Sequence, residues 1–220
     1  MAADRYHYPN LLLTRLETVL RSPLVLALAA LLFFESGVEF TLGGFISTYL
    51  THDIAVSSVG VASWVLAGYW AAIMVSRAVL SRISLGANPY RILPFCAAGA
   101  VAGAALAACA PGPAVAAFAI VLTGWSLAGI YPAALGIAGT RFQSHSGTVF
   151  GILFAVALSG GMLVPWVAGR VGEAIGLRSV FAMVAACFAG VLFLSRVATR
   201  VESGTPEQMA AGPPPSSPKT

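Results

Sequence analysis

Polar positions in this chain are confined to short breaks between long apolar runs. Six runs approach or exceed the roughly 20 mostly apolar residues that a helix needs to cross a bilayer core: residues 24–50, 58–83, 92–110, 115–139, 148–171 and 179–194. The breaks carry turn chemistry. Thr51-His52-Asp53 is polar, Gly86-Ala87-Asn88-Pro89 is a turn signal, and Pro111-Gly112-Pro113 stops a helix. Residues 140–147 form the longest polar stretch between runs. Ser22-Pro23 reads as the N-cap and first position of the first span.

Outside these runs the pattern changes. Asn10 is a candidate cap for a short helix over residues 11–21, with Leu12, Leu13, Leu16, Val19 and Leu20 at helical spacing. Arg15, Glu17 and Arg21 interrupt that stripe, so the helix is expected to lie in the membrane interface. Pro206, Pro213, Pro214, Pro215 and Pro218 mark the tail as disordered. The expected organisation is a cytoplasmic segment 1–22, a bundle 23–196 and a cytoplasmic tail 197–220. The first run is too long, and too far from Met1, for a secretory signal peptide.

Composition agrees. Of 220 residues, 58% are hydrophobic and 9% charged, against about 25% charged in soluble domains. A water-soluble globule is excluded, and the fold class is all-α: a polytopic membrane protein of six transmembrane helices. Net charge is +4, but the basic residues form no single patch, which argues against a nucleic-acid partner. Cys96, Cys109 and Cys187 all sit in apolar runs, with no CxxC pair, so neither a disulfide framework nor a metal site is expected. No cofactor is expected either.

The basic residues set an orientation. With the N-terminus inside, the cytoplasmic side receives Arg5, Arg15, Arg21, Arg77, Arg82, Arg91, Arg141, Arg196, Arg200 and Lys219, and the outside receives Arg170 and Arg178. Ten against two places both termini in the cytoplasm, in a protein of the cell (inner) membrane.

Polar chemistry is concentrated in four spans. The first, second, fourth and fifth contain Glu35, Glu39, Trp70, Arg77, Ser126, Tyr131, Ser159 and Pro165, and these spans are expected to line any polar interior. The third and sixth are bland and are expected to face lipid over much of their surface. Glu35 and Glu39 are four apart, hence on one helical face. A carboxylate near the bilayer centre costs about 2.5–3.5 kcal/mol on insertion scales, and two like charges one turn apart repel. Such groups are candidates for a substrate or proton pathway, against the plainer alternative of buried glutamates hydrogen-bonded to a neighbouring helix. Arg77 shares a stripe with Ser63, Trp70, Met74 and Ser81. It is expected to snorkel to the interface, with pairing to Glu35 as the alternative. Trp70 could stack a ligand or simply pack. Gly99/Gly103 and Gly147/Gly151 are GxxxG pairs, and Gly160-Gly161 with Pro165 is expected to let the fifth span bend.

Shifting the second span by 88 positions superposes Val61 on Val149, Ala67 on Ala155, Met74 on Met162, Val79 on Val167 and Arg82 on Arg170. Spans two and five cross the membrane in opposite directions, as in a three-plus-three inverted repeat.

The residues from Phe34 to Leu50, with Gly37, Glu39 and Gly43 in a G-x-E-x-x-x-G pattern before Tyr49-Leu50, resemble the seventh helix of major facilitator superfamily transporters, in particular the fucose–proton symporter branch. Ser76-Arg77 through Arg82 is similar to the family's "G-R" stretch, with Ser76 in place of the glycine. Gly129-Ile130-Tyr131-Pro132 resembles the tenth helix's aromatic–proline kink, and Ser159-Gly160-Gly161 through Pro165 and Gly169 the eleventh helix. The resemblance covers the last six of the family's usual twelve helices. It implies half of a secondary transporter for a small solute, sugar-like or otherwise neutral, with proton symport as the family's chemistry. Substrate- or proton-pathway candidates are then Glu39, Glu35, Trp70, Tyr131 and Ser159, and structural or gating candidates are Arg77, Arg82, Pro132 and Pro165. The implied partners are the solute, the lipid bilayer and a second six-helix half, as a homodimer or a separate chain. A non-transporting membrane assembly protein, or a truncated inactive fragment, is the alternative. An enzyme is not expected. Gly124-Trp125-Ser126 mimics the G-x-S of an intramembrane serine protease, but His7, His52 and His145 all fall outside the apolar runs, so no catalytic dyad forms.

Overall fold

A computed structural model describes residues 21–56, 58–83 and 88–203. The expected interfacial helix at 11–21, apart from Arg21, and the tail from 204 onward lie outside the described residues. The described chain is helical: α1 Pro23–His52, α2 Val59–Ile83, α3 Pro89–Ala108, α4 Pro113–Leu127, α5 Ile130–Arg141, a 3-10 turn Gln143–His145, α6 Ser146–Ile175 and α7 Leu177–Ser203. These make six segments long and apolar enough to cross a membrane, with α4 and α5 together forming the fourth.

Proline positions three of the seven described α-helix starts. Pro23, Pro89 and Pro113 each open a helix, where a missing N–H costs nothing. Asn88 caps α3 by accepting the Tyr90 N–H at 2.9 Å, so α3 begins three residues before the apolar run does. Ser22 occupies the N-cap of α1, but its side chain makes no capping bond. Gly176, at φ +91°, turns the chain from α6 to α7 in a single residue, a backbone state that side chains disfavour. That tight turn lets both flanking helices run closer to it than the apolar runs indicate. At its far end α7 continues to Ser203, because Ala198 stays buried while Arg196 and Arg200 point outward.

The first helix is the axis of the bundle. Leu28, Leu31, Leu32, Leu42, Ile46 and Tyr49 of α1 are fully buried, and α1 packs along α6 and α7. Glycines set two of the close crossings. A side chain at Gly160 would run into the backbone of Phe33, and one at Gly37 would meet Val164 and the Gly160 carbonyl. The glycines of the fifth span have a packing role: α6 is continuous through Gly160, Gly161 and Pro165, and the glycines admit α1. Gly99 and Gly103 likewise admit Ser126 and Thr123 of α4. Gly147 and Gly151 face open space and mediate no contact.

The third and sixth spans pack against each other, and further against α4 and α1. Only 39% and 33% of their apolar windows are buried, so much of each surface stays free to face lipid, as expected. The least buried spans are the second and the fifth, the two related by the 88-residue shift. At the end of the bundle opposite the described termini, the Tyr49 hydroxyl donates to the Ala107 carbonyl at 2.5 Å and its ring lies 4.1 Å from Phe181. Asp53 accepts the Arg178 N–H at 2.9 Å. These contacts tie α1, α3 and α7 together at that end.

Candidate functional site

A cavity of about 730 Å³ lies between α1, α2, α5 and the start of α3, with Leu158 of α6 at its edge. Its polar groups come from Ser36 and Glu39 of α1, Arg77 and Ser81 of α2, and Tyr131 and Thr140 of α5. Phe40, Leu80, Ile92 and Leu135 supply apolar wall.

Helical geometry explains the convergence. Ser36, Glu39 and Phe40 lie three and four residues apart, on one face of α1. Glu39 is 16 residues from Pro23 and 13 from His52, near the middle of a helix about 45 Å long. Arg77 and Ser81 are one turn apart on α2. Across the cavity the Arg77 Nη2 donates to Glu39 Oε2 at 3.3 Å. The side chains are 44% and 16% exposed, so the pair sits on the cavity wall rather than inside the core. Arg77 therefore departs from the snorkelling expected of it, and its partner is Glu39, not Glu35.

Glu35 has no exposed surface, and neither of its carboxyl oxygens has a hydrogen-bond partner among the described residues. It lies one turn from Glu39, behind the cavity wall. If all three groups are ionised, two carboxylates face one guanidinium, and the cluster is one positive charge short of balance.

The remaining candidates divide. Tyr131 lines the cavity and stacks on Phe154, with ring centroids 6.4 Å apart and planes 10° apart. Pro132 lines it too, just after the interruption between α4 and α5. Having no N–H, Pro132 cannot bond the Ala128 carbonyl, and the helix breaks at Ala128–Gly129. The aromatic–proline kink is present as a true break. Trp70 is not part of the wall; it covers Gly43 and meets Tyr69 edge-on at 5.3 Å. The exposed Ser159 hydroxyl donates to the Ala155 carbonyl of its own helix, away from the cavity lining. Arg82 is exposed in the last turn of α2, and Pro165 is half-buried inside α6. Ser126 packs against Gly99 in the α3–α4 contact.

The lining groups that escape the sequence argument include Ser36, Phe40, Thr140 and Leu158. Ser36 and Phe40 could have been found by asking which residues share the Glu39 face. Thr140 looks like loop by composition, and only the position of α5 brings it to the cavity.

A family profile described as the Major Facilitator Superfamily matches residues 28–219. A search of curated proteins finds no match. Among solved structures, a variant of the E. coli fucose:proton symporter FucP superposes with a TM-score of 0.75 at 22% identity, over 84% of this chain and 45% of that one. FucP in the outward conformation gives 0.72 at 22% identity, over 84% and 44%. A POT peptide transporter in complex with alafosfalin gives 0.74 at 16% identity, over 82% and 39%. The chain spans less than half the length of these transporters, and the likeness establishes the shared fold. Together with six apolar spans, the matches place the chain with integral membrane transporters rather than enzymes. The chain belongs to the Major Facilitator Superfamily.

Proposed function

We propose that this chain forms one half of a secondary transporter that carries a small, neutral, sugar-like solute across the cell (inner) membrane, in symport with a proton. The observation that carries the reading is the Glu39–Arg77 pair on the wall of a cavity at membrane depth. The pair offers a donor and an acceptor while leaving little net charge of its own, which suits the hydroxyls of a neutral solute better than a di-anion. Tyr131, Ser36, Ser81 and Thr140 add hydrogen-bonding groups, and Phe40 an apolar face. A proton carried on one of Glu35 and Glu39 balances the charge of the cluster. The likeness to a fucose:proton symporter is consistent with this chemistry.

In this reading both termini are cytoplasmic, following the excess of basic residues on their side. A membrane-impermeant thiol reagent added outside should leave Gln143→Cys unlabelled; labelling there would reverse the orientation.

One six-helix unit supplies one wall of a transport path, and alternating access rocks one unit against another. The second unit, a further copy or a separate chain, covers the exposed faces of α2 and α6. Trp64 and Met162 are 78% and 77% exposed on those faces. With a bifunctional thiol crosslinker, Trp64→Cys and Met162→Cys should each capture a six-helix unit in native membranes. Solute uptake by a demonstrated monomer with no such capture would refute the half-transporter reading.

A further inference from the structure

The cavity touches Gly129 and six residues of α5 but none of α4. The break at Ala128–Gly129 therefore divides the fourth span into a part that packs and a part that shapes the site. Something must fix the angle between them. The helical ladder cannot, because α4 ends at Leu127 and the Trp125 carbonyl would have needed the Gly129 N–H as its helical partner.

That carbonyl is held from another helix. The Ser76 hydroxyl of α2 donates to it at 2.8 Å, and Ser76 is only 3% exposed. Several other serine and threonine hydroxyls in the spans behave differently. Thr41, Ser63, Thr123, Thr140 and Ser159 each donate to a carbonyl one turn back on their own helix. Ser76 forgoes that bond to reach across. The neighbouring contacts are tight as well, since a side chain at Gly129 would collide with Cys96 and with Leu80, one turn beyond Ser76.

The next residue along α2 is Arg77, which holds Glu39 of α1. Consecutive residues on a helix point about 100° apart, so one turn of α2 grips the break in the fourth span with one side chain and the cavity carboxylate with the other. We propose that Ser76 is a positioning residue: it sets the angle of α5 at the Ala128–Gly129 break, and so places Tyr131 and Thr140 opposite the Glu39–Arg77 pair. Without its hydroxyl, the part-buried Trp125 carbonyl loses this donor. α5 then samples a wider range of angles, although no group lining the cavity has been removed. Ser76 is thus a functional part of this chain's site.

The test reads the position of α5 and needs no solute, so its failure is distinguishable from failure of the transport reading. Nitroxide labels are placed at Arg82→Cys and Gln143→Cys, on a background without the native cysteines, in the full chain in lipid nanodiscs. The distance distribution is measured by pulsed electron resonance. Ser76→Ala should broaden or shift it, with the displaced population rising about fivefold, the factor expected for loss of one hydrogen bond. Ser76→Thr, which keeps the hydroxyl, should restore the original distribution. Ser63→Ala, which removes an own-helix hydroxyl from the same helix, should leave it unchanged. If Ser76→Ala fails to fold, Ser76→Gly, which also removes the hydroxyl and adds no thiol, should broaden or shift the distribution in the same way. An unaltered distribution in Ser76→Ala or Ser76→Gly overturns the proposal, as does a broadening that Ser76→Thr does not reverse or that Ser63→Ala reproduces.

Discussion

Gly160→Leu should abolish the folded bundle, and Gly160→Ala should already destabilise it by on the order of 3 kcal/mol, the upper range for overpacking a close contact. The obstacle is backbone rather than a movable side chain. A methyl at Gly160 would occupy the place of the Phe33 carbonyl group, while Gly37 on the facing helix is itself closed off by Val164 and the Gly160 carbonyl. Relief requires α1 and α6 to separate, and α1 is the helix around which the others pack. The matched control is Gly151→Ala on the same α6, where nothing lies within 4 Å; it should be neutral or slightly stabilising, since alanine favours a helix. Thermal unfolding of the purified chain in detergent measures both. Equal stability of Gly160→Ala and Gly151→Ala would show that the two helices do not meet there.

Arg77→Ala should cost more than removal of the whole ion pair. The single change leaves the Glu39 carboxylate, 16% exposed, without its cation. Stranding one member of a fully buried pair costs about 3–5 kcal/mol. Because Arg77 is 44% exposed and partly solvated, about 1–2 kcal/mol is the appropriate scale here. Adding Glu39→Gln should recover most of that loss, since the amide keeps the shape and removes the stranded charge. A double-mutant cycle in denaturant reads the coupling. If Arg77→Ala with Glu39→Gln is less stable than Arg77→Ala alone, the pair does not hold as described.

The spans were legible because their signal is periodicity-free. Long apolar runs need no partner to be recognised, and Pro89 and Pro113 mark where helices start. Glu39, Tyr131 and Pro132 were legible as site candidates because a carboxylate, a phenol and a proline at membrane depth each need a reason to be there. The pairing was not. Arg77 lies near the end of α2, and nothing local says that its guanidinium turns inward to Glu39 rather than outward to the interface. Trp70 and Ser159 look functional by residue type, but they lie outside this cavity's lining: Trp70 covers Gly43 and the Ser159 hydroxyl donates to its own helix. Ser76 was noticed only as a missing glycine, because the carbonyl it satisfies is exposed by a helix break 49 residues away. GxxxG spacing was equally ambiguous: Gly99 and Gly103 meet α4, whereas Gly147 and Gly151 meet nothing.

The central claim, that Glu39 on this cavity wall takes part in moving a neutral solute with a proton, is tested most directly by uptake. The chain and its captured six-helix partner unit are reconstituted in proteoliposomes, and entry of radiolabelled neutral hexoses is followed across a pH series, with a hexose phosphate as the anionic comparison. Uptake should be saturable for a neutral hexose and absent for the phosphate. Glu39→Gln should lower it about tenfold, the factor for losing one charge-assisted hydrogen bond, and flatten its pH dependence. Glu35→Gln should have the smaller effect. Uptake and a pH profile that are the same in Glu39→Gln as in the unaltered chain would contradict the account and leave Glu39 a structural residue.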